Sequence, residues 1–493
     1  MKFLDGQQRE QIGFSFIMDK LCIVTPFGLQ ERKNIRPFKV SETNKLIHEL
    51  DSIEFIIKSM NYHKAEYSQV VRIFYKLKDI RNSVERCSKV ETLDEVELYE
   101  IKYFSMLVKE LKTVLNKIQI HIEEVKLTSL DEIISLLDPN STGISTFYVY
   151  DEYSKILKQT RQKKRQVEKE IFAATSQECL RELKLERLDL VIEEEEEELR
   201  VRKELTLKIS EKITLINRNI KAIGLLDFLI AKANLAIVYN GTRPQICNEM
   251  RISLTEAVNP EIKNILENGK KTFTPVSIEL NSGTTIITGA NMGGKSVTLK
   301  TIVLNLLLGQ MGFFVFAQRA QFPILDFIHF VSDDMQSISK GLSTFGAEII
   351  KLKEIVECIK EGNGFTALDE FARGTNPKEG YYLVKSLCKY FADFKSVSLV
   401  STHYDGVVLE NMEHYQVMGL KNVDFDSLKY KIDEDKTLSV EIIQEHMQYK
   451  LEKVTKENKV PKDALNIAML LGLENDIVEI AKNFYDEEEQ YGK

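Results

Sequence analysis

The chain has 493 residues, length for roughly two to four domains. Hydrophobic residues make up 43% and charged residues 29%, with a net charge of −8 at pH 7 and a pI near 5.7. This is an ordinary folded composition without the overall basic balance of a dedicated nucleic-acid-binding domain, although charge can be local. No apolar run reaches the roughly 18 residues of a membrane-spanning helix. The N-terminus, MKFLDGQQREQIGF, lacks the basic start and apolar core of a secretory signal. Six cysteines (Cys22, Cys87, Cys179, Cys247, Cys358, Cys388) are scattered with no CxxC pair. That spacing argues for free thiols in a reducing cytoplasm rather than a zinc site or a disulfide frame.

From about Lys39 to Leu235 the pattern is helical. Segments 46–60, 97–125 and 149–174 carry apolar residues at three- and four-residue spacing. The LDPNSTG stretch around Pro139 marks a break. A second long charged helix is expected from Cys179 to Ile220, holding six consecutive glutamates, Glu193 to Glu198. Two long charged helices on either side of a short connection predict an antiparallel pair projecting from a core. The glutamate run reads as a solvated helix face or a partner-selecting surface. The dense basic run, Arg161, Lys163, Lys164 and Arg165, also reads as a solvated face.

After about Tyr239 short β-rich runs appear: 276–280, 284–289, 312–317, 364–370 and 396–403, separated by helical stretches. Strands alternating with helices imply βαβ units and a mostly parallel sheet. The tail from Asn466 to Phe484 is again helical and amphipathic. Gly289-Ala290-Asn291-Met292-Gly293-Gly294-Lys295-Ser296 fits G-x-x-x-x-G-K-[ST], after an apolar strand and at the start of a helix that continues through Val297. In that context the glycines turn backbone N–H groups toward phosphate oxygens and the helix N-terminus adds favourable partial charge. Lys295 would reach the β- and γ-phosphates of ATP, and Ser296 would ligate Mg²⁺. Downstream, GFTALDE ends an apolar strand in Asp369-Glu370. Asp369 is suited to hold Mg²⁺ through water, and Glu370 to polarise the attacking water as general base. His403 closes another apolar strand, where a histidine serves either a γ-phosphate contact or a local hydrogen bond.

These residues resemble the MutS family. TGANMGGKS (288–296) is similar to its TGPNMGGKS, with Ala290 for proline. GLSTFGAEI (341–349), DEFARGTNPKEG (369–380) and STHY (401–404) resemble its G-x-STF-x-x-E-M, DE-x-x-RGT-x-x-x-DG and THY segments, with Glu379 for the last aspartate. ALNIAMLLGLENDIVEIAK (464–482) resembles the helix that ends the family's ATPase, with Glu474 for its proline. Upstream, 218–236 is similar to the end of the family's lever and core, AVNP (257–260) stands where the family has RHP, and 24–38 resembles the start of its helical core. The resemblance implies a helical core with long lever helices (1–238), followed by an ABC-type P-loop ATPase domain with a C-terminal dimerisation tail (239–493). It also implies ATP and Mg²⁺ as ligands, Gly289–Ser296 around the triphosphate, and Phe273 stacking on adenine. Ser343 would reach the nucleotide of the other subunit in a homodimer or a heterodimer with another MutS-like chain. His403 would sense the γ-phosphate.

Parts of the family pattern are expected to be absent: a mismatch-reading domain, a connector, a downstream nuclease-like domain and a β-rich clamp between the levers. Roughly twenty residues, Phe172 to Glu193, stand where the clamp would be, too few for a β-domain. Three functions follow. One is a nucleotide-driven clamp binding mismatched or branched DNA in repair. Another is an ATP-driven remodeller of a protein client. Segment 137–164 resembles short MutS-like proteins that accompany adenosylcobalamin-dependent lysine aminomutases, which would make that client a metabolic enzyme. A dead ATPase used as scaffold is disfavoured by the presence of Lys295, Ser296, Asp369 and Glu370.

Overall fold

The computed structural model describes residues 3–143, 146–289, 294–332, 344–420, 428, 446–454 and 463–491. The chain divides into two compact units. One comprises 22–35 and 55–231; the other comprises 1–21, 36–54 and 232–493. The division that the resemblance implies, 1–238 and 239–493, is one of family domains; by packing, segments 1–21 and 36–54 group with 232–493.

In chain order the helices are α1 (Gly6–Gln11), α2 (Phe14–Asp19), α3 (Pro26–Lys33), α4 (Thr43–Tyr62), α5 (Lys64–Phe74), α6 (Arg81–Ser88), α7 (Glu95–Ile118) and α8 (Asp131–Leu137). Then come α9 (Lys155–Ala173), α10 (Gln177–Ser210) and α11 (Ile213–Val238). The first unit is wholly helical among its described residues. Its core is laid down by α7, whose Leu98, Ile101, Phe104, Val108, Leu111 and Val114 are buried at helical spacing. Asp94 caps that helix by accepting from Glu97 N–H. A buried carboxylate ties α3 to α11. Asp227 accepts from the Thr25 N–H at 2.6 Å, the Thr25 hydroxyl at 2.8 Å and the Val24 N–H at 3.1 Å.

Helix α9 begins at Lys155, later than the expected 149, because Ser154 caps it from an extended conformation. Only three residues separate α9 from α10, and no strand lies between them. The long helix expected to reach Ile220 instead breaks at Glu211–Lys212, with no glycine or proline to announce it. Contacts 154–197, 161–194 and 168–187 make the α9–α10 pair antiparallel. The pair is electrostatically matched. Helix α9 carries seven Lys/Arg and two Glu, while α10 carries seven Lys/Arg and eleven Asp/Glu. Arg161 pairs with Asp151 at 2.5 Å, Glu194 at 2.9 Å and Glu198 at 2.6 Å. Lys164 also pairs with Glu194, and Glu197 with Ser154 and Arg200. The glutamate run is therefore only half a solvated face. Glu194, Glu197 and Glu198 turn inward, while Glu193, Glu195 and Glu196 are exposed.

In the second unit, α12 (Pro260–Asn268), α13 (Lys295–Gln310), α14 (Thr344–Glu361), α15 (Pro377–Ala392), α16 (Asp463–Leu470) and α17 (Asn475–Tyr491) accompany two sheets. A four-stranded mixed sheet has the order β1 (Gln245–Cys247), β5 (Arg319–Pro323), β2 (Arg251–Ala257), β3 (Val276–Asn281). A six-stranded sheet has the order β10 (Gln448–Lys453), β9 (Glu413–Gly419), β4 (Gly283–Thr288), β8 (Val397–Ser401), β7 (Phe365–Asp369), β6 (Ile328–Val331). It is parallel except for the β10–β9 pair. Strands β4, β6, β7 and β8 are buried at every position, as a sheet covered on both faces requires.

Helix α13 touches strands of both sheets and buries apolar residues all round, the pattern of a helix enclosed in a core. Helices α14 and α15 cover the opposite side through a cluster including Ile286, Ile355, Leu368, Val384 and Phe391. The expected strand at 312–317 forms only an isolated bridge, Thr242 to Val315. Its backbone groups are taken elsewhere: Phe316 N–H by the Asn305 side chain and Phe316 C=O by Val258 N–H. Among the described residues no helix is long and apolar enough to cross a membrane.

Candidate active site

The site lies at the C-terminal ends of β4, β8 and β7, where parallel α/β sheets present ligands. Strand β8 runs between β4 and β7, with Ile287, Ser401 and Asp369 in register across the three. Beyond β4 the chain turns at Gly289 (φ +134°) and enters α13 through Gly294 (φ +84°). Both values lie where only glycine is relaxed. A Cβ on Gly294 would stand 3.1 Å from the Tyr449 ring, which packs over this entry from β10.

Lys295 is 3% exposed. Its ammonium donates to the Gly289 carbonyl at 2.7 Å and pairs with Glu370 at 3.2 Å. Glu370 in turn pairs with Arg373 at 3.0 Å. A buried cation whose partners include a carbonyl and a carboxylate is placed to exchange them for an anion. Ser401 organises the neighbouring acids. Its hydroxyl donates to Asp369 at 2.6 Å and accepts from Glu370 N–H at 3.1 Å, while its carbonyl accepts from that same N–H. Asp369 also accepts from the Ser296 hydroxyl, and burial pushes its carboxyl up from the ordinary aspartate value. An alcohol and a desolvated carboxylate joined at a helix N-terminus form an oxygen donor pair of the kind that suits Mg²⁺.

His403, two residues beyond Ser401, sits within the fields of Glu370, Lys295 and Arg373; burial holds its imidazole below the usual histidine value. Glu370 and Ala372 have φ of +49° and +64°, conformations that side chains other than glycine rarely adopt and that cluster at functional turns.

The structure thus brings Gly289, Gly294, Lys295, Ser296, Asp369, Glu370 and His403 together. Val297 lies half-buried in the first turn of α13. Phe273 is half-buried in the loop between α12 and β3. Asn259 caps α12 and donates to the Ile12 carbonyl. Ala290, Asn291, Met292, Gly293 and Ser343 lie outside the described residues. Ser401, Arg373 and Tyr449 were missed in the sequence. Ser401 and Arg373 stand inside motifs already recognised, and strand register makes the role of Ser401 visible.

The family model described as MutS domain V matches residues 285–488. Among curated proteins, the endonuclease MutS2 of Carboxydothermus hydrogenoformans is 31% identical over 303 residues, covering 61% of this chain and 36% of that protein. That of Clostridium tetani is 30% identical over 297 residues, covering 60% and 35%. That of Finegoldia magna is 32% identical over 306 residues, covering 61% and 36%. The chain spans about a third of the length of the curated relatives it matches. The phosphate-loop entry, the Asp369-Glu370 strand end and these matches agree: residues 285–488 match MutS domain V, and the chain is similar to MutS-family proteins.

Proposed function

We propose that this chain is an Mg²⁺-dependent ATPase working as a dimer, with 1–238 as core and lever and 239–493 as ATPase domain and dimerisation tail. The observation that carries the reading is the buried Lys295 ammonium, poised between Gly289 and Glu370 beside the Ser296–Asp369 pair. Lys295 leaves Glu370 to take phosphate oxygens; Glu370, steadied by Arg373, accepts the proton of the attacking water. Ser296 and Asp369 hold the metal, which when bound would neutralise charge on the terminal phosphates. His403 senses the γ-phosphate, Phe273 stacks on the base, and Ser343 completes the partner's site. Dimerisation through the tail is supported by Ile477, Ile480 and Phe484, between 52% and 68% exposed at helical spacing along α17. Six scattered thiols, two of them buried, support a reducing cytoplasmic setting.

The sign of the pH dependence follows from Asp369. A carboxyl whose pKa is raised by burial takes up its proton at higher pH than an ordinary aspartate. Turnover should start to fall, as pH drops, above the range in which an ordinary aspartate takes up its proton, and higher Mg²⁺ should move that acid limb lower, because cation and proton compete. A pH–rate profile at two Mg²⁺ concentrations checks this; an acid limb indifferent to Mg²⁺ assigns it to another group.

Kinship points to mismatched or branched DNA as the substrate: the named relatives are endonucleases of the MutS2 type, whose nuclease activity is not extended to this chain. The α9–α10 pair favours a second reading, a protein client such as an adenosylcobalamin-dependent aminomutase. Two of its cations, Arg161 and Lys164, are engaged by neighbouring carboxylates, and non-specific DNA affinity draws on Lys and Arg available to phosphates. The deciding measurement is ATP turnover against duplex, mismatched and branched DNA at low, stated salt. Stimulation with a gel shift establishes DNA; turnover indifferent to every DNA rejects it in favour of the client. A chain that hydrolyses no ATP overturns both.

A further inference from the structure

We propose that Glu348 is a positioning residue for Glu370, acting through the backbone of the turn between them. The inference rests on the ATPase reading above. Glu348 lies on α14, is 3% exposed, and its carboxylate accepts from the Ala372 N–H at 3.1 Å. Ala372 is itself fully buried and left-handed, two residues after the left-handed Glu370. Two such residues in three are not held by local preference, so surrounding contacts must impose them. Ser401 fixes one end of the turn through Glu370 N–H, and Arg373 N–H returns to the Glu370 carbonyl at 3.3 Å.

Helix α14 fixes the other end, since Glu348 accepts the Ala372 N–H. Phe371 and Ala372 belong to the cluster against which Phe345 and Leu352 of the same helix pack. A buried carboxylate is costly to desolvate, and placing one against the Ala372 N–H makes sense if the conformation of this turn matters for the reaction. Without that acceptor, Ala372 is free to relax out of the left-handed region. Glu370 then rotates away from the position in which its carboxylate meets Lys295 and Arg373. The effect belongs to catalysis rather than nucleotide capture, because Gly289, Gly294 and Lys295 stand on the other strand–helix unit.

The test uses the full chain with Glu348→Ala, Glu348→Gln and the double variant Glu348→Ala/Ala372→Gly, measuring kcat, KM, melting and fluorescent-ATP affinity. A misplacement of the base predicts a kcat loss of about 10²-fold in Glu348→Ala, with affinity within about twofold of the original. Glu348→Gln, whose amide oxygen still accepts from Ala372 N–H, should recover most of the rate. Glycine at 372 relaxes the left-handed conformation, so the double variant should recover part of it. Glu348→Gln, which keeps the side chain's size, serves as the reporter if Glu348→Ala folds poorly. Rescue by Glu348→Gln supports the inference, and partial rescue by the double variant adds to it. An unimpaired Glu348→Ala, a Gln variant as slow as Ala, or loss of affinity in step with rate overturns it. If the unaltered chain hydrolyses no ATP, the ATPase reading falls and takes this inference with it; an active chain beside an unimpaired Glu348→Ala removes this inference alone.

Discussion

Glu370→Gln is expected to bind ATP and leave it almost unhydrolysed. The substitution keeps the side chain's size and the backbone hydrogen bonds to Ser401, so the turn should persist. It removes the charge that pairs with Lys295 at 3.2 Å and Arg373 at 3.0 Å, and with it the capacity to take a proton from water. Loss of a general base costs about 10²- to 10⁴-fold in rate, or about 3–5 kcal/mol of barrier. Affinity should hold or rise, because the Lys295 ammonium no longer has a carboxylate competing with phosphate. Single-turnover phosphate release and a fluorescent-ATP titration separate the two quantities. Normal turnover in this variant would take Glu370 out of the base role and leave it as the resting partner of Lys295.

Lys295→Ala should instead abolish capture of the nucleotide. The ammonium is buried and directed; nothing else described at the entry to α13 supplies a comparable charge. Two charge-assisted bonds of about 1.5–3 kcal/mol each correspond to about 10²- to 10⁴-fold in affinity. The deletion also takes from the Glu370 carboxylate, on a side chain only 10% exposed, its pairing with Lys295, leaving the pairing with Arg373, so a lower melting temperature is expected alongside. Titration of the variant with ATP, read by calorimetry, gives the answer; an affinity equal to that of the unaltered chain would contradict the phosphate-loop reading.

Much of this site is legible in linear sequence because its chemistry is concentrated in contiguous runs. Gly289 to Ser296 and Asp369-Glu370 each follow an apolar strand, and that context turns a short motif into a place in a fold. Ser401 is different. Its importance comes from being opposite Asp369 in the parallel register of β7 and β8, a relation that strand order creates and that no local spacing reveals. Tyr449 and Glu348 reach the site from β10 and α14 for the same reason.

Among the larger elements, the helices of 39–235 and the main parallel strands follow from periodicity. The four-stranded sheet does not, since β1 has three residues and, among the described residues, pairs only with β5, from more than seventy residues later. The misreading of 312–317 has another origin. A fully buried apolar run satisfies its backbone with whatever polar groups are near, and here a side chain, Asn305, took the place of a strand. The glutamate run was ambiguous because helical phase alone does not say which acids face a neighbour.

That helical pairing has a consequence for encounter rates. Opposed basic and acidic helices lying antiparallel, with charges nearly in balance, present only a small net monopole, and higher multipoles make up most of their field. The field of such an arrangement fades within about one Debye length, roughly 8 Å at physiological ionic strength. A macromolecule approaching the α9–α10 pair is therefore neither drawn in nor turned away from a distance. It arrives by unguided diffusion, at a rate that should change little with salt, and selection there begins only at contact.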